Sequence, residues 1–372
     1  MPGRMLLVAG GTGGHVLPAV AFGRWVSENH PSVDVGYMSG TRPMELDIYR
    51  ASSIKPMTVS MEGSPFGAPR GRRVKRWLDL IGAFHHAGAL IRNFAPDICV
   101  MFGGYISAPA LVYSRIKGIR SVMHEQNASA GRVTRLARTL GVPVASGWEV
   151  CAPFGRSDFT FVGVPIRGLR IMDRDAAWRS LDLPGRVPDG PIVVVMTGSL
   201  GSVPVRDIIT ALAQRDEFLD WTFLVNDSRA ATPAKYLVNM FLVPARWDIS
   251  PVYSAADMLV VRGGASTLSE VKATQIPAVV IPWSAAAGDH QRKNAMLMDD
   301  PERVRVWDEN RGSIDELTGL LRGFELFRPA SGDQITEKMY NLADAICERL
   351  WNFMASNGIG LCALKGDDNI GG

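Results

Sequence analysis

Residues 257–294 read DMLVVRGGASTLSEVKATQIPAVVIPWSAAAGDHQRKN, and this stretch decides the fold. Met258, Leu259, Val260 and Val261 form an apolar run of strand length, Gly263 and Gly264 permit a tight turn, and residues 265–273 can wind as a helix. A helix entered through glycines presents unpaired amide N–H groups and the positive end of its dipole, which suits a diphosphate. Thr267 and Glu270 have the spacing of a capping box, the plain structural reading. The functional reading makes Glu270 the acceptor of two ribose hydroxyls, with the nucleotide's phosphates on the turn and on Ala265, Ser266, Thr267, Leu268 and Ser269. The pattern then repeats. Residues 278–281 make a second buried strand, followed by a polar loop with Gly288, Asp289, His290 and Gln291, then Asn294. Imidazole and amide groups after a strand suit the hydroxyls of a sugar.

Length and composition set the limits. A chain of 372 residues predicts two domains of about 150 residues with some left over. With 40 basic against 37 acidic residues, no bulk field points to nucleic acid. Cys99, Cys151, Cys347 and Cys362 are scattered without a CxxC pair, which disfavours a zinc site or disulfide framework and fits a reducing compartment. One arginine precedes the first glycine loop, so no signal peptide is expected, and no apolar run reaches the ~18 residues of a membrane span.

Outward from the opening stretch, strand, glycine loop and helix recur. Residues 5–9 form a strand ending in GGTGGH (10–15), where Thr12, Gly13 and Gly14 lead to His15 at the helix entrance. The plain reading of His15 is a helix N-terminal residue bonded to its own loop. Strands at 33–39, 97–101 and 121–123 follow, with a helix over 41–49 in which nothing suggests chemistry. Residues 102–105, FGGY, supply Gly103, Gly104 and Tyr105, a second glycine loop expected to widen one anion-binding crevice with the first. HEQN (124–127) is an unusually polar strand end, either a helix cap with a solvated loop or part of a site. Residues 191–196 read as a buried parallel strand before a third loop, TGSLGS (197–202), containing Ser199. Further strands are expected at 221–225 and 304–307, and helices at 314–321 and 335–351.

Between residues 61 and 84 a glycine and proline loop gives way to Arg70, Arg72, Arg73, Lys75 and Arg76, then to Trp77, Leu80, Ile81 and Phe84. Basic and apolar side chains together suit an anionic bilayer surface, each cation being worth ~1 kcal/mol near the headgroups. A helix with a solvated charged face and its apolar side in the core is the alternative.

In this order the three glycine loops, HEQN, GVPIR (163–167) and RGGASTLSE followed by IP…AAAGDHQRKNA resemble the MurG family of bacterial N-acetylglucosaminyltransferases, which convert lipid I to lipid II. The resemblance runs from Leu6 to Trp351. It implies the α/β GT-B glycosyltransferase fold, two Rossmann-like doubly wound domains with an interdomain cleft. The expected boundaries are 1–162 for an acceptor and membrane-associating domain, 163–168 for a hinge, 169–335 for a UDP-sugar domain, 336–354 for a helix returning to the first domain and 355–372 for a tail.

By the same resemblance the reaction is inverting transfer of N-acetylglucosamine from UDP-N-acetylglucosamine to the muramoyl 4-hydroxyl of undecaprenyl-linked lipid I, at the cytoplasmic face of the cell membrane and without cofactor or bound metal. His15 becomes the general base, or else a ligand of the acceptor diphosphate. Tyr105, His124 and Asn127 become the acceptor floor, and Arg167, Ser199 and Arg246 donor contacts. Val164 stands where the family usually has asparagine, Leu200 where it has glutamine, and the Arg246 region lacks the usual aromatic-isoleucine pair. These departures leave room for a diacylglycerol or secondary-metabolite acceptor. A UDP-sugar epimerase and a non-catalytic sugar-nucleotide-binding subunit are the remaining alternatives.

Overall fold

The structure, a computed structural model, describes residues 3–61, 71, 73–198, 201–227, 230–244, 246–298, 300, 302–324 and 332–357. It divides into two compact units, Met1–Arg167 with Asp344–Gly372, and Gly168–Ala343. Each is a seven-stranded sheet with its own apolar core.

The first sheet contains β1 (Arg4–Val8), β2 (Asp34–Ser39), β3 (Met57–Thr58), β4 (Ile98–Met101), β5 (Arg120–Glu125), β6 (Val144–Ser146) and β7 (Thr160–Phe161). Their order is β3-β2-β1-β4-β5-β6-β7, and every pairing is parallel. Helices α1 (Gly13–Asn29), α2 (Pro43–Ala51), α3 (Arg73–Phe94), α4 (Ser107–Ile116) and α5 (Arg132–Thr139) make the crossovers. β4 reads Ile-Cys-Val-Met with all four residues buried, because a parallel strand is covered on both faces.

The second unit contains α6 (Arg174–Ser180), β8 (Ile192–Met196), α7 (Val203–Ala213), β9 (Thr222–Asp227), β10 (Ala234–Leu237), β11 (Met240–Pro244), α8 (Ser250–Ser254), β12 (Met258–Val261), α9 (Ala265–Thr274), β13 (Ala278–Val280), α10 (His290–Ala295), β14 (Val304–Val306) and α11 (Ile314–Arg322). The order is β10-β11-β9-β8-β12-β13-β14, parallel except for the β10–β11 hairpin, an addition that sequence reading missed. The final helix, α12 (Gly332–Ser356), contributes its first turns to the second unit and its last turns to the first. In the first unit the Trp25 indole donates to Asp344, and Trp351 stacks on His30 with ring centroids 3.8 Å apart.

Strand order locates the sites. In each sheet the winding reverses between two adjacent strands, β1 and β4 in one and β8 and β12 in the other. Loops leaving those strands diverge to opposite faces of the sheet, and the crevice between them receives ligands. The loops after β1, β4, β8 and β12 are the four glycine loops of the sequence.

Candidate active site

In the first unit the two glycine loops are in contact. Gly104 has φ +78°, and a Cβ there would fall 1.8 Å from the Gly10 carbonyl oxygen, so only glycine lets the backbones approach this closely. The His15 ring lies over Gly103, where a Cβ would meet its Cδ2 at 2.8 Å. His15 Nδ1 is 3.1 Å from Thr12 Oγ1. α1 begins at Gly13 without a side-chain cap.

Beneath these loops sits Glu45, fully buried on α2. Its Oε1 accepts the Gly11 N–H at 2.5 Å and the Tyr105 hydroxyl at 3.1 Å, and its Oε2 accepts the Ser39 hydroxyl at 3.4 Å. The Arg42 guanidinium lies 4.4 Å from the centroid of the Tyr105 ring. Burial, with the Glu45 charge adding to it, pushes the Tyr105 phenol up, so it stays a donor. Arg42 and Glu45 were missed. A lone acid in a short helical run has no distinguishing spacing, and only the fold brings it under Gly11.

HEQN builds the loop more than it lines a site. Glu125 accepts the Asn127 N–H (3.0 Å) and side-chain amide (3.1 Å) on Oε1, and the Gly131 N–H (2.9 Å) and Thr134 hydroxyl (2.5 Å) on Oε2. His124, expected on the acceptor floor, is fully buried. Its Nε2 donates to the Gly163 carbonyl at 2.8 Å and its Nδ1 accepts from the Gln126 amide at 3.0 Å, which leaves neither nitrogen for a ligand. Burial drives its pKa down to about 4, against the smaller pull of Gly163 and Glu125. Asn127 and Tyr105 are only partly buried and remain ligand candidates. Val164 is buried, and a Cβ at Gly147 would meet its Cγ2 at 2.4 Å, so valine fills an apolar contact at this position. Arg167 is the last residue of this segment and half-buried.

In the second unit the turn after β12 is built as the opening stretch predicts, with one revision. Gly264, not Thr267, is the N-cap of α9, so the capping-box reading of Thr267 and Glu270 falls. The amides of Ala265, Ser266 and Thr267 precede the first intrahelical bond, from Leu268 N–H to Gly264 O at 3.0 Å. The Ser266 hydroxyl is buried without a hydrogen-bond partner among the described residues. The Leu268 side chain is fully buried in the core, so this residue offers a ligand only its backbone. Thr267 and Ser269 are half-buried. Glu270 is buried, and its Oε2 accepts the Tyr253 hydroxyl at 2.8 Å.

The expected polar loop after β13 is in fact helix α10, entered through left-handed Gly288 and Asp289. α10 clamps the glycine turn. Gln291 Oε1 accepts the N–H groups of Gly263 (3.1 Å) and Trp283 (2.9 Å), and the Asn294 amide donates to the Gly263 carbonyl at 3.0 Å. A Cβ at Gly263 would strike the Gln291 carbonyl at 2.3 Å. Asn294, expected to contact a sugar hydroxyl, is fully buried, and its amide holds the turn. His290 at the head of α10 is half-buried.

Arg262 ties the loops together. Its guanidinium donates to Ser202 Oγ (2.7 Å), the Ile281 carbonyl (3.1 Å) and Glu309 Oε2 (2.8 Å), linking the segments after β8, β12, β13 and β14. An arginine directly after an apolar strand was the available signal. Arg246, expected near the base, donates to the Ser180 carbonyl at 3.0 Å, capping the C-terminus of α6 as a cation does at a helix's negative end. Ser199 lies outside the described residues.

α3 carries the apolar and basic stretch. Val74 (73% exposed), Trp77 (46%), Leu78 (62%) and Ile81 (52%) form an i, i+3, i+4, i+7 stripe facing solvent, flanked by exposed Lys75. Leu80 and Phe84, expected on this surface, pack instead against the core, while Val74 and Leu78 join it. Arg76 is half-buried, and Arg72 and the Arg73 side chain lie outside what is described. No helix among the described residues is long and apolar enough to cross a membrane.

Two doubly wound α/β units, each with glycine loops at one switch point, are the two-domain GT-B architecture of glycosyltransferases. The N-terminal domain of glycosyltransferase family 28 matches residues 5–140 and its C-terminal domain matches residues 192–344, and the chain belongs to this family. Among its relatives, the UDP-N-acetylglucosamine–N-acetylmuramyl-(pentapeptide) pyrophosphoryl-undecaprenol N-acetylglucosamine transferase of Chlorobium limicola is 30% identical over 80% of this chain and 85% of its own length. The enzyme of the same name from Magnetococcus marinus is 30% identical over 80% and 82%. The fold is the GT-B fold of MurG from Acinetobacter baumannii, with a TM-score of 0.64 at 21% identity, covering 95% of this chain and 100% of that one. The kitacinnamycin glycosyltransferase shares it, with a TM-score of 0.62 at 16% identity over 96% and 98%.

Proposed function

We propose that this chain transfers N-acetylglucosamine from UDP-N-acetylglucosamine to the muramoyl 4-hydroxyl of undecaprenyl-linked lipid I, inverting the anomeric carbon to give lipid II. The observation that carries the reading is the match of both family domains, with transferases of that activity aligned over four-fifths of the chain. The twin glycine loops of the first unit then take the acceptor. The turn after β12 takes the UDP-sugar, its diphosphate on the amides of Ala265, Ser266 and Thr267 and its ribose on Glu270. His290 and Gln291 border the sugar, and Arg167 and Ser199 complete the donor contacts.

His15 is the base of this scheme. Its Nδ1 lies 3.1 Å from Thr12 Oγ1, and in the tautomer that carries the proton on that nitrogen Nε2 is the basic atom that takes the 4-hydroxyl proton. Attack on the α-linked donor breaks the bond to UDP and leaves a β linkage. Charge gathering on the departing diphosphate is stabilised by the α9 amides and dipole. An acceptor panel tests the reading. UDP release with a lipid I analogue is expected to exceed release with diacylglycerol by at least about 100-fold in kcat/KM. A reversed preference, or epimerised donor without acceptor, selects another function.

The α3 stripe, with Lys75 and Arg76 and the adjoining Arg72 and Arg73, docks the enzyme on the anionic cytoplasmic face of the membrane. Exchanging Trp77 and Ile81 for aspartate is expected to weaken sedimentation with phosphatidylglycerol vesicles at least about tenfold. Unchanged binding would move the membrane surface elsewhere.

A further inference from the structure

Resting on the donor reading above, we propose that Tyr253 is a positioning residue that sets the plane of the Glu270 carboxylate and thereby its selectivity for a ribose diol. Both side chains are at least 98% buried, and the Tyr253 hydroxyl donates to Glu270 Oε2 at 2.8 Å. The phenol itself is held fast. α8 is secured by Ser250 and Ser254, whose hydroxyls accept the N–H groups of Arg170 (3.1 Å) and Met172 (3.0 Å). Tyr253 N–H bonds to the Ile249 carbonyl at 3.1 Å.

The terminal torsion of a glutamate is broad, so a carboxylate without such a contact samples many planes. A vicinal diol needs two acceptor directions at once, and bidentate recognition is lost when the plane turns. The hydroxyl of Tyr253 removes that freedom from one oxygen and so orients the lone pairs of both.

The test compares two donors, UDP-N-acetylglucosamine and its 2′-deoxyuridine counterpart, with the parent enzyme and Tyr253→Phe. The parent is expected to favour the ribose donor by about 50-fold in kcat/KM, and the variant by less than about 5-fold, with the change in KM rather than kcat. A variant that weakens both donors equally gives tyrosine a structural role only and overturns the proposal. A parent that uses both donors alike overturns the ribose assignment of Glu270 itself. Tyr253→4-aminophenylalanine, which restores a donor in the same outline, is expected to recover most of the parent ratio. If Tyr253→Phe does not fold, Tyr253→4-fluorophenylalanine, which keeps the outline of the phenol without a donor, carries the test, and a parent-like ratio in it overturns the proposal.

Discussion

His15→Ala is expected to lower kcat about 1,000-fold while KM for UDP-N-acetylglucosamine stays within about threefold, the signature of a group acting on the proton in the transition state. The 4-hydroxyl of a sugar is a poor nucleophile until its proton is taken. Among the first-unit side chains brought together at the switch point, His15 combines a partly exposed imidazole with a second nitrogen fixed by Thr12. Its seat over Gly103, on loops too close for any residue larger than glycine at 104, holds the ring in one place. The rival role, binding the acceptor diphosphate, predicts a different outcome, with KM for the acceptor rising while kcat at saturation survives. Near-full turnover at saturating substrates would reject the base assignment.

The second large effect concerns acid stability. His124 is buried and neutral, its pKa lowered from 6.5 to about 4 by desolvation. Between those values the unfolded chain binds a proton that the folded chain refuses. The contribution is therefore fully present above pH 6.5 and is lost as pH falls toward 4, by about 3 kcal/mol in total. Urea unfolding of the parent at pH 7 and pH 4.5, beside His124→Gln, reads this contribution as a difference in slope. The variant should be less stable at pH 7, because the bonds to Gly163 and Gln126 are disturbed, yet lose distinctly less on acidification. Equal losses in the two proteins would show that His124 takes up its proton without penalty. The proton must enter at Nδ1, so the bond forfeited is the one from the Gln126 amide, and acid should act first there while the bond to Gly163 is kept.

The glycine turns and the parallel strands were legible because both are local. An unbroken apolar run such as 192–195 has one good fate in a doubly wound sheet, and Gly263 and Gly264 after β12 announce a turn into a helix. The strand order 3-2-1-4-5-6-7 was not legible, and it is strand order that places the four glycine loops at two switch points. Polar residues were identified more reliably than their tasks. Asn294 and His124 looked like ligand contacts because both are polar beside a strand end. His124 proved to be a strut for Gly163, and the Asn294 amide braces Gly263, because a buried backbone group needs a partner as much as a substrate does. Glu45 was invisible for the converse reason, and Arg262 showed only as an arginine after an apolar strand. The partners that mark them, Gly11 and Ser202, lie 34 and 60 residues away, and no spacing within one element records such a contact. Trp77 and Phe84 were placed on one surface by composition, whereas helical geometry sends Trp77 outward and Phe84 to the core.

The proposed reaction joins a sugar nucleotide to a lipid-borne sugar with inversion. The most direct measurement is proton NMR of the product formed from UDP-N-acetylglucosamine and a lipid I analogue by the purified protein. A new anomeric signal with the large coupling of a β linkage to the muramoyl 4-position, matched by one UDP released per sugar, is the predicted result. An α linkage, free N-acetylglucosamine, or an unconsumed acceptor beside spent donor would contradict it.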